Sequence, residues 1–299
     1  RTVLMALDLC AAPGGKTTLL SSMPQFRLVL ANEIIQTRVP VLQENVIKWG
    51  AGHVFISNND PADFEKMGAL FDLVLVDAPC SGSGLFRKDA AAMDEWNPSL
   101  VSFCSARQKR ILASAMHSVV EGGFFLYSTC SYSKEENEEN LDQIMESGLF
   151  ESVSVDVPDE WNVVESVSTI KKAKGYRFYP NKVMGEGFFC AIFRKTGTSY
   201  SGYQHVAAKL DLVKPPSVLE NWIVSSPQLQ FFRKENELFA VDEINLPALL
   251  QFKDSLRLRK SGLRLGAEIR TDLIPDHELS MSGLLSDNIP ALDLSFQEA

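Results

Sequence analysis

Along residues 1–195, short apolar runs alternate with longer amphipathic ones, a rhythm that predicts strands separated by helices. Strands are expected at Val3–Cys10, Arg27–Asn32, His53–Ser57, Phe71–Val76 and Gly123–Ser128. Amphipathic stretches at Lys16–Ser22, Arg38–Trp49, Pro98–Val120 and Lys134–Glu146 read as the intervening helices. Successive strands joined by helices lie parallel, because a crossover must carry the chain back across the sheet. Tyr176–Tyr179 and Gly187–Arg194, joined by a polar turn containing glycine, read as a hairpin closing that sheet. The expected fold class is therefore α/β, a doubly wound sheet with an antiparallel closing hairpin. Residues 196–217 are polar, contain Pro215-Pro216 and read as a linker. From Val218 the texture changes to short β-like pieces, Leu229–Arg233 and Leu238–Val241, then a basic stretch and an acidic apolar tail. Residues 218–299 read as a second, small mixed α/β domain.

Composition narrows the classes. With 299 residues, 45% of them hydrophobic, the chain is long and apolar enough for one large domain or a medium and a small one. No apolar run reaches the ~18 residues of a membrane helix, and Arg1-Thr2-Val3-Leu4 is no secretory signal. With no initiator methionine and a strand-like run starting by residue 3, the sequence reads as a piece of a longer protein. The five cysteines (10, 80, 104, 130 and 190) are scattered, odd in number and never paired as CxxC. Neither a metal knuckle nor a disulfide framework is expected, and a reducing cytoplasm is the expected compartment. The net charge of −9 argues against simple coating of nucleic acid but leaves room for local basic patches.

The first strand-to-helix turn, Leu7-Asp8-Leu9-Cys10-Ala11-Ala12-Pro13-Gly14-Gly15-Lys16-Thr17, lies where open parallel sheets bind cofactors. A phosphate loop fails there, because Gly15-Lys16-Thr17 supplies its end while Cys10 stands at its first glycine. A dinucleotide fingerprint also fails, since only the adjacent Gly14-Gly15 are present. S-adenosylmethionine is the remaining candidate. Glu33 ends the second strand about 20 residues after the glycines, where an acid can accept from both ribose hydroxyls. Asp60 follows the third strand, in reach of an adenine edge, and Asp77 ends the fourth, beside the cofactor's reactive end. One acid at a strand end is ordinary turn chemistry. Three at successive strand ends behind a glycine loop point to a nucleotide-like cofactor.

Asp77-Ala78-Pro79-Cys80-Ser81 follows one apolar strand, and Ser128-Thr129-Cys130-Ser131 follows the next. An inert small hydrophobe is the ordinary reading of a buried cysteine, and it suits Cys104 and Cys190. Cys80 and Cys130 instead lie in loops of small polar residues whose backbone N–H groups can stabilise a thiolate. A thiolate beside a methyl donor suggests attack on carbon 6 of a pyrimidine, which makes carbon 5 nucleophilic. Such an attack needs an acid or hydrogen bond at ring nitrogen 3, for which Asp77 is the candidate. An amino-methyltransferase would place an aromatic residue where Cys80 stands.

At LDLCAAPGGKT (7–17), ANEIIQTRVPVLQENVIKWG (31–50), DAPCSGSG (77–84) and STCSYSKEENE (128–138), the sequence resembles the RNA 5-methylcytosine methyltransferases of the Nop/Sun family. RFYPNKVMGEGFF (177–189) resembles the family's closing hairpin, and the tail resembles the RNA-binding extension of bacterial members that modify small-subunit ribosomal RNA. The resemblance implies a Rossmann-like class I methyltransferase sheet over residues 1–195. It implies that Cys10, Ala11, Ala12, Pro13, Gly14, Gly15, Lys16, Glu33, Asp60 and Asp77 bind S-adenosyl-L-methionine. It makes Cys130 the nucleophile and gives Cys80 the release of product, with Lys16 close to the target base. The implied substrate is a cytidine in ribosomal RNA, with transfer RNA as an alternative. A non-catalytic RNA-binding or ribosome-assembly factor is the rival class. Family members carry a further segment before the glycine loop.

Two basic stretches are candidates for RNA contact. Lys171, Lys172, Lys174, Arg177 and Lys182 interleave with Tyr176, Phe178 and Tyr179, a mixture that can hold phosphates while stacking bases. Lys253, Arg257, Arg259, Lys260, Arg264 and Arg270 crowd the second domain. The acidic helix Glu135–Glu146 reads as a solvated face.

Overall fold

The computed structural model describes residues 4–198, 207–224, 228–270 and 272–286. Its first half runs β1 (Leu4–Asp8), α1 (Gly15–Ser21), β2 (Phe26–Asn32), α2 (Val39–Lys48), β3 (Val54–Ser57), β4 (Phe71–Asp77), α3 (Ala91–Glu95), α4 (Pro98–Ala115), β5 (Val119–Thr129), α5 (Glu138–Glu146), β6 (Phe150–Ser152), β7 (Val164–Val167), β8 (Lys174–Phe178) and β9 (Phe188–Lys195). β3-β2-β1-β4-β5 lie side by side and parallel. β9 adds antiparallel to β5, and β8 and β7 follow it. The alternation of strand side chains sends Val29, Ala31 and Ile56 to the face covered by α2, through Val39, Leu42 and Val46. Leu7, Leu28, Val74 and Val76 go to the face holding Ile111, Leu112, Leu141 and Ile144 of α4 and α5. Helices on both faces give the doubly wound architecture that the residue pattern predicts.

Two helix ends differ from expectation. Asn97 caps α4 by accepting from Leu100 N at 2.9 Å, with Pro98 in the first turn. The helix stops at Ala115 rather than Val120, because Val119 is already paired with Phe71 of β4. The buried Lys195 ammonium donates to Met116 O and Val119 O, both at 2.9 Å, and seals this end. Burial pushes its amine down to about 8. α5 begins at Glu138 rather than Lys134, since Glu136 and Asn137 are engaged with the loop before it.

The second half contributes β10 (Asp211–Val213), α6 (Leu219–Trp222), β11 (Leu229–Lys234), β12 (Glu237–Asp242), α7 (Leu246–Ser255), β13 (Leu258–Lys260), β14 (Leu263–Ile269), β15 (Asp272–Pro275) and α8 (His277–Met281). The antiparallel order β10-β11-β12-β14-β15 forms a second sheet with its own small core, including Leu238, Leu265 and Leu279. β10 lies inside the stretch read as a linker; its backbone pairs with β11. β13 leaves this sheet and adds antiparallel to the free edge of β3. Phe252 of α7 stacks on Phe71 with centroids 6.0 Å apart and meets Phe55 edge-on at 6.5 Å. The acidic tail beyond residue 286 lies outside the described residues.

The charged segments also depart from their sequence reading. The acidic stretch is solvated on one side only: Glu135, Glu139 and Glu146 are exposed, while Glu136 is 0%, Glu138 7% and Asp142 5% exposed. Arg177, read as part of an RNA patch, is buried and forked onto Glu138, with Nε donating to Oε1 at 2.7 Å. Its Nη1 donates to Tyr132 O at 3.1 Å. Lys260 is buried against Glu278 at 2.6 Å, and Arg264 pairs with Glu237 and Asp276. Each basic residue found a carboxylate that only folding brings near. Removing one partner of a buried pair strands the other's charge. Arg177→Met is therefore expected to lower unfolding free energy by roughly 3–5 kcal/mol, measured by urea denaturation, with Glu138→Gln partly restoring the double variant.

A candidate active site at the carboxyl ends of the parallel strands

The glycine loop closes back on β2. Gly14 has φ of 114°, and a Cβ there would stand 3.1 Å from Leu42 Cδ1, so backbone and space both call for glycine. Ala12 N donates to Glu33 Oε2 at 3.3 Å and Ile35 N to Oε1 at 2.8 Å, while Arg38 Nη1 lies 3.4 Å from Oε2. Asn45 Nδ2 donates to Pro13 O at 2.8 Å. Glu33 is thus fixed, 3% exposed, and retains a free lone pair on each oxygen for further donors.

Below the loop, Asp8 is 1% exposed and accepts from Thr17 Oγ1 at 2.7 Å, while its Oδ1 has no partner. Burial pushes its carboxyl up to about 7. The sequence reading passed over Asp8. Its only signal was an acid inside an apolar strand, between Leu7 and Leu9.

A cavity of about 450 Å³ opens in front of this loop. Its walls include Cys10, Ala12, Glu33, Ile34, Asp77, Pro79, Cys80 and Cys130. Glu33 on one wall, apolar side chains between, and Asp77 with the two cysteines on the other make a pocket suited to a nucleotide-like ligand with a reactive end. Asp60 stands apart: its carboxylate accepts from Ala62 N and from Arg110 Nη1, each at 3.0 Å, and its neighbours Pro61 and Arg110 line the cavity instead. The second half of the chain reaches this wall too. Asn58 Nδ2 donates to Glu33 O at 2.6 Å and to Ile34 O at 3.1 Å, while Asn58 N donates to Arg257 O at 3.0 Å. Arg259 Nη2 donates to Asn58 Oδ1 at 3.2 Å.

Cys80 and Cys130 meet with their sulfurs 2.8 Å apart. Two thiols at that distance share a proton. The hydrogen bond from Cys80 holds the Cys130 thiol below its ordinary value, and the same contact with burial pushes Cys80 well above it. Burial raises Cys10, Cys104 and Cys190, the last to about 11. Cys130 is the one cysteine whose environment favours the thiolate. The buried Glu136 carboxylate holds the two loops in place. It accepts from Ser81 N and Gln108 Nε2 at 2.9 Å each, and from the hydroxyls of Ser81 and Ser131. Glu136 was missed by the sequence reading, although both cysteines are followed by serine. Gly84 threads between the loops, where a Cβ would stand 2.5 Å from Cys130 O and from Gly187 O. Asp77 accepts from Lys16 Nζ at 2.6 Å and from Ser128 Oγ at 2.7 Å. Asp77, Cys80 and Cys130 thus line one cavity, and Lys16 reaches Asp77 from the first turn of α1.

A parallel 3-2-1-4-5 sheet closed by an antiparallel strand, with its pocket at the strand carboxyl ends, is the architecture of Rossmann-like methyltransferases. The chain belongs to the family described as 16S rRNA methyltransferase RsmB/F, whose model matches residues 3–194. It is 29% identical over 313 residues to the ribosomal RNA small subunit methyltransferase F of Aliivibrio fischeri, covering 99% of this chain and 64% of that protein. It is 38% identical over 199 residues to the Shewanella baltica protein of the same name, covering 64% of this chain and 40% of that one. NSun6 from Pyrococcus horikoshii, solved with SFG, superposes with a TM-score of 0.56 at 28% identity, over 64% of this chain and 48% of that one. The match spans less than two thirds of the length of these curated relatives, 64% of the first and 40% of the second.

Two outcomes follow from the site. Iodoacetamide at neutral pH is expected to label Cys130 ahead of the other cysteines, read by peptide mass spectrometry. In Cys80→Ala the pH midpoint of that labelling is expected to move upward, because the donor that lowers it is gone. For Asp8, the folded carboxyl titrates above the unfolded one. Between about pH 4 and 7 only the folded state holds the proton, so stability falls steadily as pH rises across that window and levels off above about 7. Asp8→Asn is expected to flatten the pH dependence of stability over that window, a change on the order of 3 kcal/mol at neutral pH, measured by urea denaturation across pH.

Proposed function

We propose that this chain methylates carbon 5 of a cytidine in RNA, most favourably small-subunit ribosomal RNA, using S-adenosylmethionine. The observation that carries the reading is the Cys80–Cys130 pair at 2.8 Å, facing the same cavity as Asp77 and Glu33. The cofactor supplies an electrophilic methyl group. The remaining lone pairs of Glu33, which lines the cavity, fit a ligand rich in hydrogen-bond donors. In this reading Cys10, Ala11, Ala12, Pro13, Gly14 and Gly15 form the backbone cradle, Glu33 takes the ribose hydroxyls, and the Asp60–Pro61 turn borders the adenine. SFG in the archaeal NSun6 structure supports the same choice.

Cys130 adds as a thiolate to carbon 6 of the ring, and the electron pair moves toward nitrogen 3. The Lys16–Asp77 pair answers that charge with a hydrogen bond or proton. Carbon 5 is then enamine-like and nucleophilic toward the methyl group. Once Cys130 is bound to carbon, Cys80 no longer faces a thiolate, so the main cause of its raised value is removed. Cys80 then gives its proton to solvent and, as a thiolate, takes the carbon-5 proton, after which the carbon–sulfur bond breaks and Cys130 leaves as thiolate. A target base that must reach these sulfurs has to leave its stack, which favours a single-stranded or splayed RNA site. Lys171, Lys172, Lys182, Lys253, Arg257, Arg259 and Arg270 remain exposed for phosphates.

The test is denaturing gel electrophoresis of the protein with S-adenosylmethionine and undermodified small-subunit RNA. Cys80→Ala is expected to accumulate an RNA adduct that survives denaturation, and Cys130→Ala to form none. The reverse pattern makes Cys80 the nucleophile. Transfer RNA run in parallel separates the two substrates. Cofactor binding with no adduct on any RNA favours a binding-only protein.

A further inference from the structure

The turn between β8 and β9 is fastened to both cysteine loops. Arg87, in the segment after Cys80, donates to Gly185 O at 2.8 Å, to Glu186 Oε1 at 3.1 Å and to Pro180 O at 3.3 Å. Gly187 N donates to Gly84 O at 2.9 Å, and Gly84 N to Cys130 O at 2.6 Å. Tyr132, two residues beyond Cys130, stacks on Tyr179 with centroids 5.7 Å apart. The outer side of this turn bounds a second cavity of about 450 Å³, walled by Trp161, Phe178, Phe188 and Met184, with Lys182 and Glu160 at its lining. Trp161 is 61% exposed and Met184 fully exposed, an unusual display of large apolar side chains beside a reactive site. Phe188 also lies beneath the Lys16 ammonium, 5.2 Å from its ring centroid, and Lys16 holds Asp77. The cleft is therefore joined to the reacting groups by backbone hydrogen bonds on one side and by Lys16 on the other.

We propose that this aromatic cleft stacks the nucleotide adjacent to the target base in the bound RNA strand, an inference that rests on the RNA reading above. A base drawn out of its stack leaves its neighbour without a stacking partner, and an aromatic face replaces that contact for any base. Lys182 supplies a cation for the neighbouring phosphate, and Glu160 an acceptor for an exocyclic amino group. Because the turn is tied to Gly84 and Cys130, the cleft keeps a constant offset from the nucleophile. It therefore sets the register of the strand and does more than add affinity.

The experiment uses short single-stranded RNAs with one cytidine and 2-aminopurine on its 5′ or 3′ side, titrated with the protein in the presence of S-adenosylhomocysteine. Fluorescence quenching is expected for one of the two placements. Trp161→Ala is expected to abolish it and weaken binding about tenfold, whereas Trp161→Phe keeps both and Trp161→Leu loses the quenching. Binding with quenching unchanged in Trp161→Ala overturns the cleft while leaving the RNA reading intact. Failure of these RNAs to bind the wild-type protein overturns both.

Discussion

Glu136 is the constraint on which the reactive centre depends, because a buried carboxylate is tolerated only where enough donors converge on it. The two cysteines come from loops fifty positions apart, and neither loop has regular structure of its own. The carboxylate gathers Ser81 N, both serine hydroxyls and Gln108 Nε2, so each loop is fixed at the residue after its cysteine. Gln108 is in turn held through its Oε1 by Asn140, which also donates to Tyr127 Oη. α4, α5 and β5 thereby transmit their positions to two sulfur atoms. A neutral side chain at 136 would leave donors unmatched, and a shifted loop would strand the charge. The thiol pair is consequently a product of the whole helical face.

A similar dependence runs through the cavity wall around Glu33. Glu33 is shaped from one side by the glycine loop and from the other by Asn58, whose own amide is claimed by Arg257 and Arg259. β13 extends the main sheet beyond β3, so residues from the second half of the chain brace the cavity wall at Glu33. The boundary near residue 196, plausible from the change in texture, is crossed by a strand and by Phe252 in the main core.

Charge follows the same logic. A surplus of nine negative charges leaves the molecule acidic, yet the informative carboxylates are inside. Glu138 and Asp142 sit on the buried face of α5, and Glu136 is buried in the turn just before it. Basic residues counted as surface by composition, Arg177, Lys260 and Arg264, are spent on internal partners. The cations left exposed are fewer than the basic stretches suggest.

By itself the sequence determined the alternation of strands and helices in the first half and placed the glycine loop, Asp77, Cys80 and Cys130 at strand ends. Apolar period and turn chemistry are local, and the crossover rule converts them into neighbouring strand ends. Motif order then identified the family. Only the tertiary structure decided which acids are buried, that Asp60 turns to Arg110 while Asp8 leans on Thr17 with its Oδ1 unpartnered, and that Glu136 joins the cysteine loops. It also decided where the second half docks. Those outcomes depend on partners distant in sequence and on desolvation, which vanishes in an extended chain and appears only when packing excludes water.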